Sequence, residues 1–276
     1  HVAVRYPYDV PESAGLTAGA LKDTVVLPFN NLEGVEEKLK NEEIASVIIE
    51  PVLGAGGGVP AEKEFLRGLR EFCDEKGILL IFDEVITGFR LAPGGAQQYY
   101  DVTPDVTVFG KILGGGFPIG AFCGSREIME RIDPHMYQRP NYSFHGGTFS
   151  ANPISMAAGL ATLKILEDGH LIAKLNKTGE EIRRQIKEIF EASSEDVQVT
   201  GAGSILGTHF TRKEVYDARA ASEADRDKLV EYHLNLIANG VFFLPTHIGA
   251  LSTVHSGADI EKLLSETEEY AKRCGK

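Results

Sequence analysis

Ile78-Leu79-Leu80-Ile81-Phe82-Asp83-Glu84 and Val106-Thr107-Val108-Phe109-Gly110-Lys111 decide the fold of this chain. Each is a short apolar run that closes on polar or charged residues, the pattern of a strand buried on both faces of a sheet. Twenty-three residues separate Phe82 from Val106, room for the helical crossover that two parallel strands require. Asp83 and Lys111 would then emerge together at the carboxyl ends of neighbouring strands, where open α/β sheets bind their ligands.

Upstream, the β-branched run Ala45-Ser-Val-Ile-Ile-Glu50 predicts a further strand, ended by Pro51, which cannot donate to a ladder. Between the strands, Phe65, Leu66, Leu69, Phe72 and Cys73 fall on one face of a helix over 61–76, with Gly77 as its stop. Strand, helix, strand, crossover and strand make an α/β unit with a largely parallel sheet. Beyond about Asp168 the character changes. Leu171, Leu175, Ile182, Ile186, Ile189 and Phe190 trace a long amphipathic helix. Strands are expected at 197–200, 205–210, 241–244 and 251–255, and helices near 222–238 and 258–273. Ser256 would cap the last helix, with Asp259 in its first turn. The expected organisation is a large α/β domain over 1–167 and a small α+β domain with antiparallel pairing over 168–276.

Composition narrows the chemistry. At 276 residues the chain is long enough for a substantial core. Its 43% hydrophobic and 25% charged content excludes intrinsic disorder. A net charge of -12 argues against a nucleic-acid surface or a polybasic membrane anchor. Three scattered cysteines without a Cys-x-x-Cys pair support no disulfide framework, zinc site or redox couple. No apolar run reaches the roughly 18 residues of a membrane span, and no signal-peptide pattern is present. The expected setting is the cytoplasm and the expected partners are small molecules.

The chemistry centres on Phe109-Gly-Lys-Ile-Leu-Gly-Gly-Gly-Phe-Pro-Ile-Gly-Ala-Phe122. A lysine directly after a buried strand, followed by three glycines, has a fixed base and room for a ligand. Desolvation there would favour the neutral amine, which attacks an aldehyde to form an imine. Asp83 on the neighbouring strand is a natural partner for a cationic ring nitrogen, and the two together fit pyridoxal phosphate. Each feature has a plainer reading. The lysine could be a solvated terminal charge, the glycines a loop without the Gly-x-Gly-x-x-Gly pattern, and Asp83-Glu84 the wet end of a strand. Their coincidence at one sheet end singles them out. The eight histidines show no His-Glu-x-x-His spacing, so no metal site is expected, and His145 reads as structural. Ser143 and Ser150 lack a Gly-x-Ser-x-Gly elbow, and Tyr99 and Tyr100 read as packing.

Further segments occur in order: Ile48-Ile-Glu-Pro-Val52, Phe82-Asp-Glu-Val-Ile-Thr-Gly-Phe-Arg90, Gly94-Gly-Ala-Gln97, Val102-Thr-Pro-Asp105 and Gly146-Gly-Thr-Phe-Ser-Ala-Asn-Pro153. With these and the lysine segment, the sequence resembles the class III aminotransferases, fold-type I pyridoxal-phosphate enzymes, and notably their glutamate-1-semialdehyde aminomutase-like branch. The resemblance implies the type I transferase fold, with a mostly parallel large-domain sheet and a small C-terminal domain. It implies that Lys111 is the Schiff-base lysine and proton shuttle, and that Asp83 pairs with the pyridine nitrogen. Val85 would pack on a face of the ring, an ordinary core valine being the alternative. Gly147 and Thr148 would bind the phosphate of the neighbouring subunit's cofactor, which implies a homodimer.

The implied reaction moves an amino group between an amino acid or amine and a keto acid or aldehyde. Arg90, the Gly-Gly-x-Gln segment and Ser150-Ala-Asn-Pro153 are similar to the aminomutase branch. Val52-Leu-Gly-Ala-Gly-Gly-Gly58, with Ala55 where aminomutases usually carry asparagine, and Ile86 are similar to amine and ω-amino-acid transaminases. The reading is an aminotransferase, with an aminomutase as the alternative. Family members also carry a substantial segment ahead of the part matched, and this chain opens at His1 rather than a methionine. It therefore reads as lacking that segment, which leaves a third alternative: a fragment or degenerate homologue acting as a binding or interaction module.

Overall fold

A computed structural model describes residues 13–274; His1, where the sequence reading sets the break, lies outside them. In chain order the elements begin with α1 (Ala18–Lys22), α2 (Leu32–Leu39), β1 (Ser46–Ile49), α3 (Lys63–Lys76), β2 (Leu79–Glu84), α4 (Gly95–Tyr100), β3 (Val106–Phe109) and β4 (Ala121–Gly124). They continue with α5 (Arg126–Met129), α6 (Pro153–Leu166), α7 (His170–Ala192), β5 (Val197–Thr200), β6 (Ile205–Phe210), α8 (Ala218–Ser222), α9 (Arg226–Ala238), β7 (Gly249–Ala250) and α10 (Gly257–Cys274). Two compact units result. One holds residues 43–51 and 66–172; the other, among the described residues, holds 13–42, 52–65 and 173–274. No helix among the described residues is long and apolar enough to cross a membrane.

In the first unit the sheet order is β1-β2-β3-β4, the first three parallel and β4 antiparallel to β3. The apolar runs form the expected strands, and α3 ends where Gly77 turns left-handed at φ 68°. There the N–H of Ile78 donates to the Cys73 carbonyl at 2.9 Å, closing the helix in a Schellman turn. Asp105 links helix to sheet: its Oδ2 accepts from Leu80 N at 2.7 Å and from Arg70 Nη1 at 2.8 Å.

Two expectations change here. The β2 run is not buried on both faces. Strand alternation sends Leu80, Phe82 and Glu84 to a fully covered face, while Leu79 and Ile48 on the other remain 39% and 64% exposed. The glycine-rich stretch after Lys111 also yields β4, a strand the sequence reading does not include. It pairs Phe122 with Val108 and Ala121 with Phe109 at the sheet edge.

The second unit is built on an antiparallel β5-β6-β7 sheet. Its core is aromatic: Phe190 lies edge-on to Phe210 at 5.5 Å and to Tyr232 at 5.6 Å. The buried Tyr232 hydroxyl is satisfied by Thr267 Oγ1 at 2.8 Å. Ser256 and Asp259 cap α10 reciprocally, the Ser256 N–H donating to Asp259 Oδ2 at 2.7 Å and the Asp259 N–H to Ser256 Oγ at 3.3 Å.

Neither of the last two expected strands forms as read. Residues 241–244 join no ladder; Val241 N is taken by the Leu236 carbonyl at the end of α9, and Phe243 stacks on His233 at 5.3 Å. The stretch 251–255 is displaced by a strand two residues earlier, Gly249–Ala250, because Ser252–His255 closes into a turn with His255 N donating to Ser252 O at 3.1 Å.

The glycine run after Val52 belongs to this unit. The Gly57 carbonyl accepts from the Thr200 hydroxyl at 2.7 Å and lies 2.9 Å from His209 Nε2. Gly57 is left-handed (φ 96°), and a Cβ there would come within 2.6 Å of His209 Cε1. Only glycine fits.

Candidate active site

Lys111 follows β3 in a left-handed conformation (φ 44°) and opens a single 3₁₀ turn, Lys111–Gly114. Holding a side-chain-bearing residue there costs about 1 kcal/mol, so the turn must be fixed by its surroundings. The glycines do this. A Cβ on Gly115 would sit 2.6 Å from the Ala158 carbonyl and from Thr162 Oγ1, and one on Gly114 2.9 Å from Ile119 Cγ2. Gly115 lets the turn press onto α6 and Gly114 lets it close on Ile119, packing roles, whereas Gly116 faces open space at the cleft. In front of the turn lies an open cleft of about 620 Å³ lined by Lys111, Ile112 and residues 116–119. Lys111 is exposed in it. The expected desolvation is therefore not supplied by the described residues, because the cleft opens to solvent.

Asp83 and Lys111 are neighbours through register: Glu84 pairs with Phe109, so both acid and amine belong to adjacent carboxyl ends. Asp83 is half-buried, and its Oδ1 accepts from the Val85 N–H at 3.0 Å, which fixes the carboxylate at the start of the turn. Val85, just past the end of β2, is half-buried. A Cβ on Gly110 would lie 3.2 Å from Val85 Cγ1, so the valine packs on the residue that carries Lys111.

Glu84 points to the opposite face and is fully buried. Its Oε2 accepts from Ala96 N and from the Thr87 hydroxyl at 3.1 Å, and its Oε1 from Gln97 N at 3.2 Å and Gln97 Nε2 at 3.5 Å. Burial pushes this carboxyl up from the usual glutamate range, and the surrounding donors oppose that rise. Sequence reasoning missed this group, offering only a wet strand end. The signal was Gly94-Gly95, since a Cβ on left-handed Gly95 would fall on the Glu84 carboxylate. Arg90, half-buried, donates from Nε to the Ile86 carbonyl at 3.2 Å, and burial pulls its guanidinium down.

Gly147 and Thr148 lie on an exposed turn in which Ser150 N donates to Gly147 O at 3.0 Å. Among the described residues no hydrogen bond joins either to Asp83, Val85 or Lys111. Asn152 caps α6 through its Oδ1, which accepts from Ile154 N at 3.0 Å and Ser155 N at 3.3 Å, so those helix-start donors are already engaged. His145 is exposed and lies edge-on to Phe122 at 5.1 Å. The structure thus brings three of the five candidate residues together and leaves the other two facing outward.

The sequence profile of Aminotransferase class-III matches residues 3–256. The glutamate-1-semialdehyde 2,1-aminomutase 2 of Lachnoclostridium phytofermentans is 42% identical over 268 residues, covering 95% of this chain and 62% of that protein. The glutamate-1-semialdehyde 2,1-aminomutase of Methanosphaera stadtmanae is 43% identical over 264 residues, covering 94% and 61%. Among solved structures, an omega-transaminase from Sphaerobacter thermophilus superposes with a TM-score of 0.88 at 36% identity, covering 96% of this chain and 60% of that one. The chain spans about six-tenths of the length of the relatives it matches.

Proposed function

This chain belongs to the class III aminotransferase family, and from that premise we propose that it is the lysine-bearing part of a pyridoxal-phosphate-dependent aminotransferase. The observation that carries the reading is the register of β2 and β3, which sets the Asp83 carboxylate and the Lys111 amine on adjacent strand ends. The donor set fits the cofactor: a primary amine on a strained, supported turn, an acid fixed by a backbone N–H, and a valine packed beside Gly110. Pyridoxal phosphate, when bound, supplies an aldehyde for the amine and a ring that withdraws electrons.

The chain's own residues divide the remaining work. Lys111 would hold the cofactor through Nζ, and its amine, when free, would carry a proton to and from the substrate carbon. The Asp83 carboxylate would accept a hydrogen bond from the ring nitrogen and favour its protonated form. Val85 would pack on the ring. Gly147 and Thr148, facing outward, hold the phosphate in a second copy's site, which makes the active form a homodimer. The substrates are a small amino donor and a keto or aldehyde acceptor. On this reading residues 1–167 make up the cofactor domain and 168–276 the small domain, with 13–42 and 52–65 packed into the same compact unit as the latter. Cysteines 73, 123 and 274 are all free, which supports a cytoplasmic setting.

Added pyridoxal phosphate is expected to give a visible absorption band with this chain, and borohydride reduction should leave its mass on the Lys111 peptide. A band that persists in Lys111→Ala, or no band at all, would favour a binding module without turnover. A second reading, the aminomutase, is favoured by the names of the two curated relatives. Conversion of a semialdehyde with no external acceptor would select it over the transaminase.

A further inference from the structure

Residues 241–244 read as a strand yet join no ladder, and in the loop 241–248 that contains them a helix side chain supplies an acceptor where a neighbouring strand would have done so. His233, on α9, is 3% exposed and its Nδ1 accepts the backbone N–H of Thr246 at 3.2 Å. Thr246 is left-handed (φ 65°), a conformation costing a threonine about 1 kcal/mol that needs a fixed partner to persist. The His233 ring also stacks on Phe243 at 5.3 Å and 30° between planes, and Gly249 leaves space for that phenylalanine. On the outer side of the same loop Phe242 and Leu244 are 77% and 52% exposed. The segment is thus pinned from within by an imidazole acceptor and a stacked ring rather than by sheet hydrogen bonds.

We propose that His233 is a proton-sensitive catch: with Nδ1 bare it accepts the Thr246 N–H and holds the 241–248 loop closed, and with Nδ1 protonated it releases the loop. The chemistry is one of donor against acceptor. A protonated Nδ1 presents a hydrogen to the Thr246 N–H, so the bond is lost and two donors oppose each other.

The surroundings reinforce this. From the loop itself His247 is near enough to oppose a charge on the ring. On its own helix the neighbour is Tyr232, 5.6 Å away, whose hydroxyl is engaged by Thr267 of α10. α10 also brings Lys262 against Gly240 at the start of the loop. β6 presents apolar Leu206 and Phe210 to the core that holds Tyr232, and β7 contributes Gly249 and Ala250. No carboxylate stands among these groups to welcome a charge. Burial, then His247, pull the imidazole down to about 4. The sign follows: the group's folded value lies below the unfolded 6.5, so its stabilisation is complete above that value and is lost as pH falls toward 4.

Amide hydrogen exchange on the full chain, corrected for intrinsic rates, tests this between pH 7.5 and 4. Protection of the 241–248 amides should fall on the order of a hundredfold while α9 keeps its own. In His233→Gln, whose side-chain oxygen can accept the same N–H and does not titrate, protection should hardly change over that range. Equal protection of the loop at both ends in the wild-type chain, equal loss from α9, or an unchanged pH response in His233→Gln would overturn the proposal. Should the variant not fold, NMR of the wild-type chain decides. The Thr246 amide must lose protection over the pH range in which the His233 ring titrates, and a ring that titrates under a still-protected Thr246 sinks the idea.

Discussion

Position 84 shows how much one buried side chain organises. Both Glu84 oxygens accept, from two backbone N–H groups, a threonine hydroxyl and a glutamine amide. Glu84→Gln replaces one of those oxygens with a donor, so one N–H at the start of α4, that of Ala96 or of Gln97, loses its acceptor and meets a donor instead. The expected loss is roughly 2–4 kcal/mol, read as a lower urea midpoint without a change in slope. At this scale the sequence reveals Asp83 and Lys111 because each follows an apolar run whose end is visible locally. Glu84 is hidden because its partners lie up to 13 residues on, folded back over it by α4. His209 is further out of reach, since it meets Gly57 across 152 residues.

Among the elements, the 3₁₀ turn after β3 is the most exacting. Gly115→Ala brings a Cβ within 2.6 Å of the Ala158 carbonyl at φ 57°, whereas Gly116→Ala meets nothing within 4 Å. The first is expected to cost roughly 2–4 kcal/mol and the second about 1 kcal/mol, strain alone. Thermal unfolding separates them, and a titration with pyridoxal phosphate should show weaker retention in Gly115→Ala, whose turn bears Lys111. The long helices and β1 to β3 were legible because their periodicity is produced by the same burial that stabilises them. β4 was not, since its four residues lie at a sheet edge and mostly face solvent. The 241–244 run misleads for the opposite reason: its alternation is real, with 242 and 244 outward, but a histidine and not a neighbouring strand receives its inner side.

At the level of the whole molecule, the assignment of Thr148 to a second copy makes a prediction that single variants cannot. Lys111→Ala and Thr148→Ala should each bind cofactor poorly alone. Mixed and allowed to exchange subunits, they should regain about a quarter of the wild-type sites by spectral titration, because half the pairs are mixed and each mixed pair carries one intact site. No regain would place Thr148 within its own chain's site. The antiparallel β4 bears on the same point. It starts opposite Phe109 and finishes opposite Val106, carrying the backbone away from Lys111 and toward the amino ends of the parallel strands. The residues that follow first leave the cleft and come back to it only at α6, where the Ser155 hydroxyl donates to the Pro118 carbonyl at 2.9 Å, so the exposed 147–150 turn sits at the end of a long excursion that starts and finishes beside Lys111.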